Sequence, residues 1–136
     1  MIKDLPLYIK KKIINTRDIP SIKKKYKNEK IILCHGVFDV VHPGHVRHFL
    51  FAKSKANILI ASCTSDQFIN KGVYRPHVPE KLRAFNLAVL EMVDYVIIDY
   101  AKKPLSLIKK LKPNFYAKGF EYSKALNPSE ETKEVI

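Results

Sequence analysis

Short apolar blocks punctuate a chain that is otherwise basic and polar. Lys30–Cys34, Ile58–Cys63, Tyr95–Ile98 and 115–118 are each too short for a helix and apolar on both faces. Such blocks read as buried parallel strands. The stretches between them change period. Val46, Phe49, Leu50 and Ala52 give residues 44–55 a helical stripe, with Pro43 at the first helical position, where its missing N–H costs nothing. Leu82, Phe85, Leu87, Ala88 and Leu90 do the same for residues 80–92, and residues 104–111 form a third helix that stops before Pro113. Ahead of the first block, Asp18 or Ser21 is placed to cap a short helix through Tyr26. Strands alternating with helices through short loops predict an α/β domain with a parallel sheet and right-handed crossovers.

Length and composition leave that picture in place. The 136 residues, 46% hydrophobic, fit one domain with one ordinary core. No apolar run is long enough to span a membrane, and the first residues lack the apolar stretch of a signal peptide, so a cytoplasmic protein without membrane contact is expected. Cys34 and Cys63 end two apolar blocks and are expected as reduced, buried thiols, not as a disulfide or a zinc site. The net charge of +12 raises the question of nucleic acid. Only four of the 25 basic residues are arginine, however, and the lysines fall in scattered clusters, so solvated faces and an anionic substrate explain the charge better.

The candidate chemistry lies at one strand-to-helix turn, Gly36-Val37-Phe38-Asp39-Val40-Val41-His42-Pro43-Gly44-His45. Open α/β sheets bind nucleotides at such turns, where backbone N–H groups and the helix dipole converge. His42 and His45 flank the start of the helix and can donate to one phosphoryl group; Gly44 between them permits close approach. Fixed donors matched to the charge that builds on non-bridging phosphate oxygens favour the transition state over the ground state. Either histidine alone would read as a chance surface residue. The pair beside Gly36 and Asp39 at a strand end does not.

This turn resembles the G-x-F-D-x-x-H-x-G-H signature of the cytidylyltransferase-like nucleotidyltransferases, in particular the branch of glycerol-3-phosphate cytidylyltransferase and the heptose-phosphate nucleotidyltransferases. The likeness continues in Thr64-Ser65-Asp66, in Asn70-Lys71-Gly72, in Glu80-Lys81-Leu82-Arg83, in Val93-Asp94-Tyr95-Val96 and in Lys118-Gly119-Phe120-Glu121-Tyr122. It implies a Rossmann-like three-layer sandwich and transfer of a nucleotidyl group from CTP or ATP to a phosphorylated sugar or polyol, with Mg²⁺ accompanying the triphosphate. No metal cage of protein groups is expected. His42, His45 and Lys71 would be catalytic. Gly36, Val37, Phe38, Gly44 and Lys118 would bind the nucleotide, and Asp39, Arg83 and Glu121 the second substrate. Three of these carry bland alternatives of equal standing: Lys71 as a loop lysine, Arg83 as a helix-surface charge, and Asp39 as a cap for loop N–H groups. Asp94 caps the entrance to a strand in either case. A homodimer is expected by the same likeness.

The chain also departs from the pattern. Val37 replaces the threonine of many relatives and cannot donate a hydrogen bond. Nothing after Tyr122 supplies the Ser/Thr-rich helix start that usually closes the site. The expected organisation is therefore a basic N-terminal helical extension over residues 1–29, the nucleotidyltransferase domain over 30–122, and a polar segment over 123–136, with the chain expected either to be a piece of a longer protein or to have its fold completed by a partner chain. A nucleotide-binding module with weak or lost catalysis is the alternative to an enzyme.

Overall fold

The computed structural model describes residues 4–69, 72 and 76–117. Among these residues five parallel strands form one sheet: β1 (Ile13–Ile14), β2 (Ile31–Gly36), β3 (Ile58–Thr64), β4 (Tyr95–Asp99) and β5 (Phe115–Ala117), in the spatial order β1-β4-β3-β2-β5. The helices are α1 (Leu7–Lys10), α2 (Ile19–Lys25), α3 (Pro43–Lys55), α4 (Glu80–Ala88) and α5 (Leu105–Leu111).

Two apolar layers sandwich the sheet, which makes the expected three-layer architecture. Ile32, Cys34, Leu59, Ala61 and Cys63 pack against Phe49 and Ala52 of α3 and Ala84, Leu87 and Ala88 of α4. Ile31, Leu33, Ile58 and Ile60 pack against Ile19 and Ile22 of α2 and Leu107 and Leu111 of α5. Alternation along a strand sends neighbouring residues to opposite faces, so a two-sided sheet needs apolar residues at every position.

The basic N-terminal stretch is part of this domain. Ile13 and Ile14 add a strand to the β4 edge, and Ile9, Ile19 and Ile22 are buried. Asp18 does not cap α2; its carboxylate accepts the Asn15 N–H at 2.9 Å and closes the turn before the helix. The helix expected over 80–92 ends at Ala88, where Leu90 N–H bonds to Leu87 O in a tighter turn. At the end of α5, Lys112 takes a left-handed φ of 49°, so the chain reverses before Pro113. Asp94 does cap a strand entrance: its carboxylate accepts Leu59 N–H at 2.8 Å and pairs with Lys53 at 2.5 Å, tying the end of α3 to the start of β3.

Both cysteines are free and buried, and burial pushes the Cys34 thiol up to about 12 and the Cys63 thiol up to about 11 from an ordinary 9.0. Iodoacetamide at pH 8 is expected to leave both unmodified in the folded protein and to label both after unfolding, as read by mass spectrometry. Because the folded values lie above the unfolded one, the unfolded chain loses thiol protons first. Stability from this source is complete below pH 9.0 and falls as pH rises past it.

Candidate active site

The carboxyl ends of β2 and β3 and the amino end of α3 meet at the 36–45 turn. Phe38 shapes it. Its backbone adopts φ 51°, and its ring packs on Phe49 at 5.3 Å and edge-on to His45 at 5.5 Å between centroids. A Cβ on Gly36 would come within 3.0 Å of that ring, so the glycine makes room for it. Phe38 is thereby a buried wedge beneath the histidines.

The two histidines cap the helix and each other. His42 Nδ1 accepts the Gly44 N–H at 3.0 Å, and His45 Nδ1 accepts the His42 N–H at 3.2 Å. An imidazole nitrogen that accepts carries no proton, so the neutral rings are assigned, from these bonds, as Nε2–H tautomers. The rings lie 3.9 Å apart between centroids, 31° from parallel. The turn therefore holds two neighbouring imidazoles, each bonded to the backbone through Nδ1.

These caps change what a phosphate would meet. A backbone-amide cradle was expected here, but the first-turn amides are spent. Pro43 has none, Gly44 N–H goes to His42 Nδ1, and the His45 and Val46 N–H groups go to the His42 carbonyl at 2.9 and 3.2 Å. What the start of α3 could offer an anion is therefore the imidazoles and the dipole of the 13-residue helix.

Gly44 is required for a reason the sequence did not show. A Cβ there would sit 2.7 Å from His42 Cε1 and 2.9 Å from Nδ1. Gly44→Ala is expected to swing the His42 ring off the helix and lower kcat about 100-fold, a magnitude typical of a misplaced reacting group. Its effect on the melting temperature should be small. Alanine regains up to about 1 kcal/mol of helix propensity, and the lost cap costs about the same. Steady-state kinetics with a thermal melt checks both parts.

Two expected substrate contacts are bonded within the protein. Asp39 is 7% exposed, and its carboxylate accepts the N–H groups of His77 at 3.0 Å and Val78 at 2.9 Å. It docks the loop before α4 onto the turn, as the capping alternative had it. Arg83 is fully buried. Its Nε donates to Val78 O at 2.8 Å, one terminal nitrogen to Val37 O at 2.8 Å and Thr64 O at 2.7 Å, and the other to Asp66 at 2.6 Å. The guanidinium is spent on the protein. It locks the turn, the end of β3 and the loop before α4 together, which corrects the expectation of a substrate contact. Lys71, Lys118 and Glu121 lie outside the described residues.

Sequence reasoning passed over several groups at this edge. Asp66 and Glu80 bond reciprocally, Asp66 N–H to the Glu80 carboxylate at 2.9 Å and Glu80 N–H to the Asp66 carboxylate at 3.3 Å, which fixes the start of α4. Asp99, at the end of β4, is buried, accepts Ala101 N–H at 3.0 Å, and is held above the usual carboxylate range by burial. His35 bridges two hydroxyls of β3. A buried polar residue at a strand end was the available signal, and only burial distinguishes it from a loop residue. An open depression of about 550 Å³ is lined by Val41, His42, Pro43, Val46 and Arg47. Among the described residues no group of three or more His, Cys, Asp or Glu could hold a metal ion, and no helix is long and apolar enough to cross a membrane.

Comparison with known proteins adds to this geometry. Residues 33–136 match the family model described as cytidylyltransferase-like. The chain is 41% identical over 113 residues to the bifunctional protein HldE of Helicobacter acinonychis (strain Sheeba), covering 81% of this chain and 24% of that protein. It is 38% identical over 136 residues to the bifunctional protein HldE of Helicobacter hepaticus, covering 98% and 28%. It thus spans about a quarter of the length of these curated relatives. A crystal structure of the lipopolysaccharide core biosynthesis protein from Thermoplasma volcanium superposes with a TM-score of 0.67 at 22% identity, covering 79% of this chain and 86% of that one. That likeness is one of fold.

Proposed function

Because the chain belongs to the cytidylyltransferase-like family of nucleotidyltransferases, we propose that it transfers a nucleotidyl group from CTP or ATP to a phosphorylated sugar or polyol, releasing pyrophosphate. The observation that carries this reading is the pair of imidazoles at the start of α3, 3.9 Å apart between centroids and each bonded to the backbone through Nδ1.

An oxygen of the acceptor phosphate attacks the α-phosphorus, a new P–O bond forms, and the bond to the leaving pyrophosphate breaks. A phosphate monoester is already ionised at neutral pH, so no general base is needed, and catalysis reduces to positioning and charge stabilisation. His42 and His45 donate to oxygens on which charge develops, and the dipole of α3 adds to them. Arg83, Asp39 and Asp66 hold the turn so that these donors do not have to reorganise. Mg²⁺, when bound with the triphosphate, neutralises phosphate charge. The Asp39 and Asp66 carboxylates are already engaged, so the phosphates and water would supply its ligands.

The test is a coupled pyrophosphate assay with CTP and ATP against a panel of sugar and polyol phosphates. Steady pyrophosphate release dependent on one acceptor is expected. Tight triphosphate binding without turnover on any acceptor would replace the enzyme by a binding module. A homodimer belongs to the same proposal and is checked by light scattering.

A further inference from the structure

His35 stands at the carboxyl end of β2, one residue before the turn, and its ring joins two hydroxyls of the neighbouring strand. Its Nδ1 lies 2.6 Å from Ser62 Oγ and its Nε2 lies 3.3 Å from Thr64 Oγ1. Residues 33 and 35 of β2 and residues 60, 62 and 64 of β3 share one face of the sheet by alternation. The proton directions along this chain follow from burial. Ser62 is fully buried, and among the described residues the His35 ring is the one recorded partner of its hydroxyl. If Ser62 only accepted, its O–H would be a buried donor without a partner, at a cost of about 1–3 kcal/mol. Ser62 therefore donates to Nδ1. The neutral ring then carries its proton on Nε2 and donates to Thr64 Oγ1.

Among the described residues, that assignment leaves the Thr64 hydroxyl proton without an acceptor. Thr64 is half-buried and is the last residue of β3, so it stands at the carboxyl edge of the sheet, by alternation on the α2–α5 face, across the strand ends from the histidine pair on α3. Its carbonyl receives the same Arg83 nitrogen that holds Val37 O, so its backbone is fixed against the turn. We propose that Thr64 donates its hydroxyl proton to a phosphoryl oxygen of the bound substrates, and that His35, itself oriented by Ser62, is the positioning residue that sets the hydroxyl for this. The substrate class rests on the nucleotidyl-transfer reading above; the proton directions do not. The bond to phosphate oxygen would add to the histidine pair a third donor on a rigid strand.

Three measurements on the full chain test it. Nitrogen-15 spectra of the histidine rings should show His35 as the Nε2–H tautomer, which needs no activity at all. Thr64→Val should lower kcat/KM about 10- to 100-fold, the range for a hydrogen bond to a charged group, with a small fall in melting temperature because the half-buried His35 Nε2–H loses its acceptor, and Thr64→Ser should restore most of both. His35→Ala should lose activity in the same direction, and the double variant should lose no more than the worse single one, because His35 acts through Thr64. An Nδ1–H tautomer, a Thr64→Val variant with wild-type kcat/KM, or additive losses would each overturn the proposal. Absence of turnover by the wild-type chain would strike the nucleotidyl-transfer reading instead, and the tautomer would then decide the His35 assignment alone.

Discussion

His45→Ala is expected to lower kcat by about two to three orders of magnitude while nucleotide affinity changes severalfold, the size of effect seen when one preorganised donor to a developing oxyanion is removed. His45 does two jobs. Its Nδ1 caps the His42 N–H, and in the proposed mechanism its Nε2–H donates to the substrate phosphates. Removing the cap should cost about 1 kcal/mol of stability, which leaves the protein folded. His45→Asn separates the jobs. An asparagine oxygen can still accept the His42 N–H, so the melting temperature should recover, but its amide does not reach where Nε2 was, so kcat should not. Full activity in His45→Ala would remove the histidine pair from the mechanism; recovery of kcat in His45→Asn would make capping its sole role.

Arg83→Met should be the most destabilising of the substitutions considered. The guanidinium is 0% exposed and holds three carbonyls and the Asp66 carboxylate. Breaking a buried pair by removing one partner costs about 3–5 kcal/mol. The Asp66 side chain is 40% exposed and water relieves part of its loss, which places the cost near the lower end, about 3 kcal/mol. For a chain of this size that is a fall of about 10 °C in melting temperature. Arg83→Lys should recover little, since one ammonium cannot span acceptors on three segments. A substrate-binding arginine would show the opposite pattern, a raised KM with an unchanged melt.

The clamp explains why so much of the scaffold and so little of the site's support was legible in the chain. β2, β3, β4 and β5 announce themselves as apolar blocks because both faces of the sheet are covered. β1 does not, since two isoleucines after Lys10–Lys12 carry no periodicity, and only the open edge of β4 makes them a strand. The histidine pair was readable because both rings and the helix start fall within four residues. The link from Arg83 to Val37 crosses 46 residues, and that from His77 to Asp39 crosses 38. No local pattern reports partners at such separations, so Asp39 stayed open between substrate contact and loop cap, and Arg83 between substrate contact and helix-surface charge, until their partners were seen.

The sequence by itself determined the layered parallel fold, the strand-to-helix turn and the pair of histidines on it, because these depend on local period and on residues that are neighbours in the chain. The tertiary structure decided what the charged residues around that turn are for. It buried Arg83 and Asp39 as clamps, used the first amides of α3 for the histidines' own caps, and explained Gly44 as space for an imidazole. The reason is physical. A charge becomes a ligand contact or a brace according to whether the fold leaves it water or surrounds it with acceptors, and only the packed chain sets that.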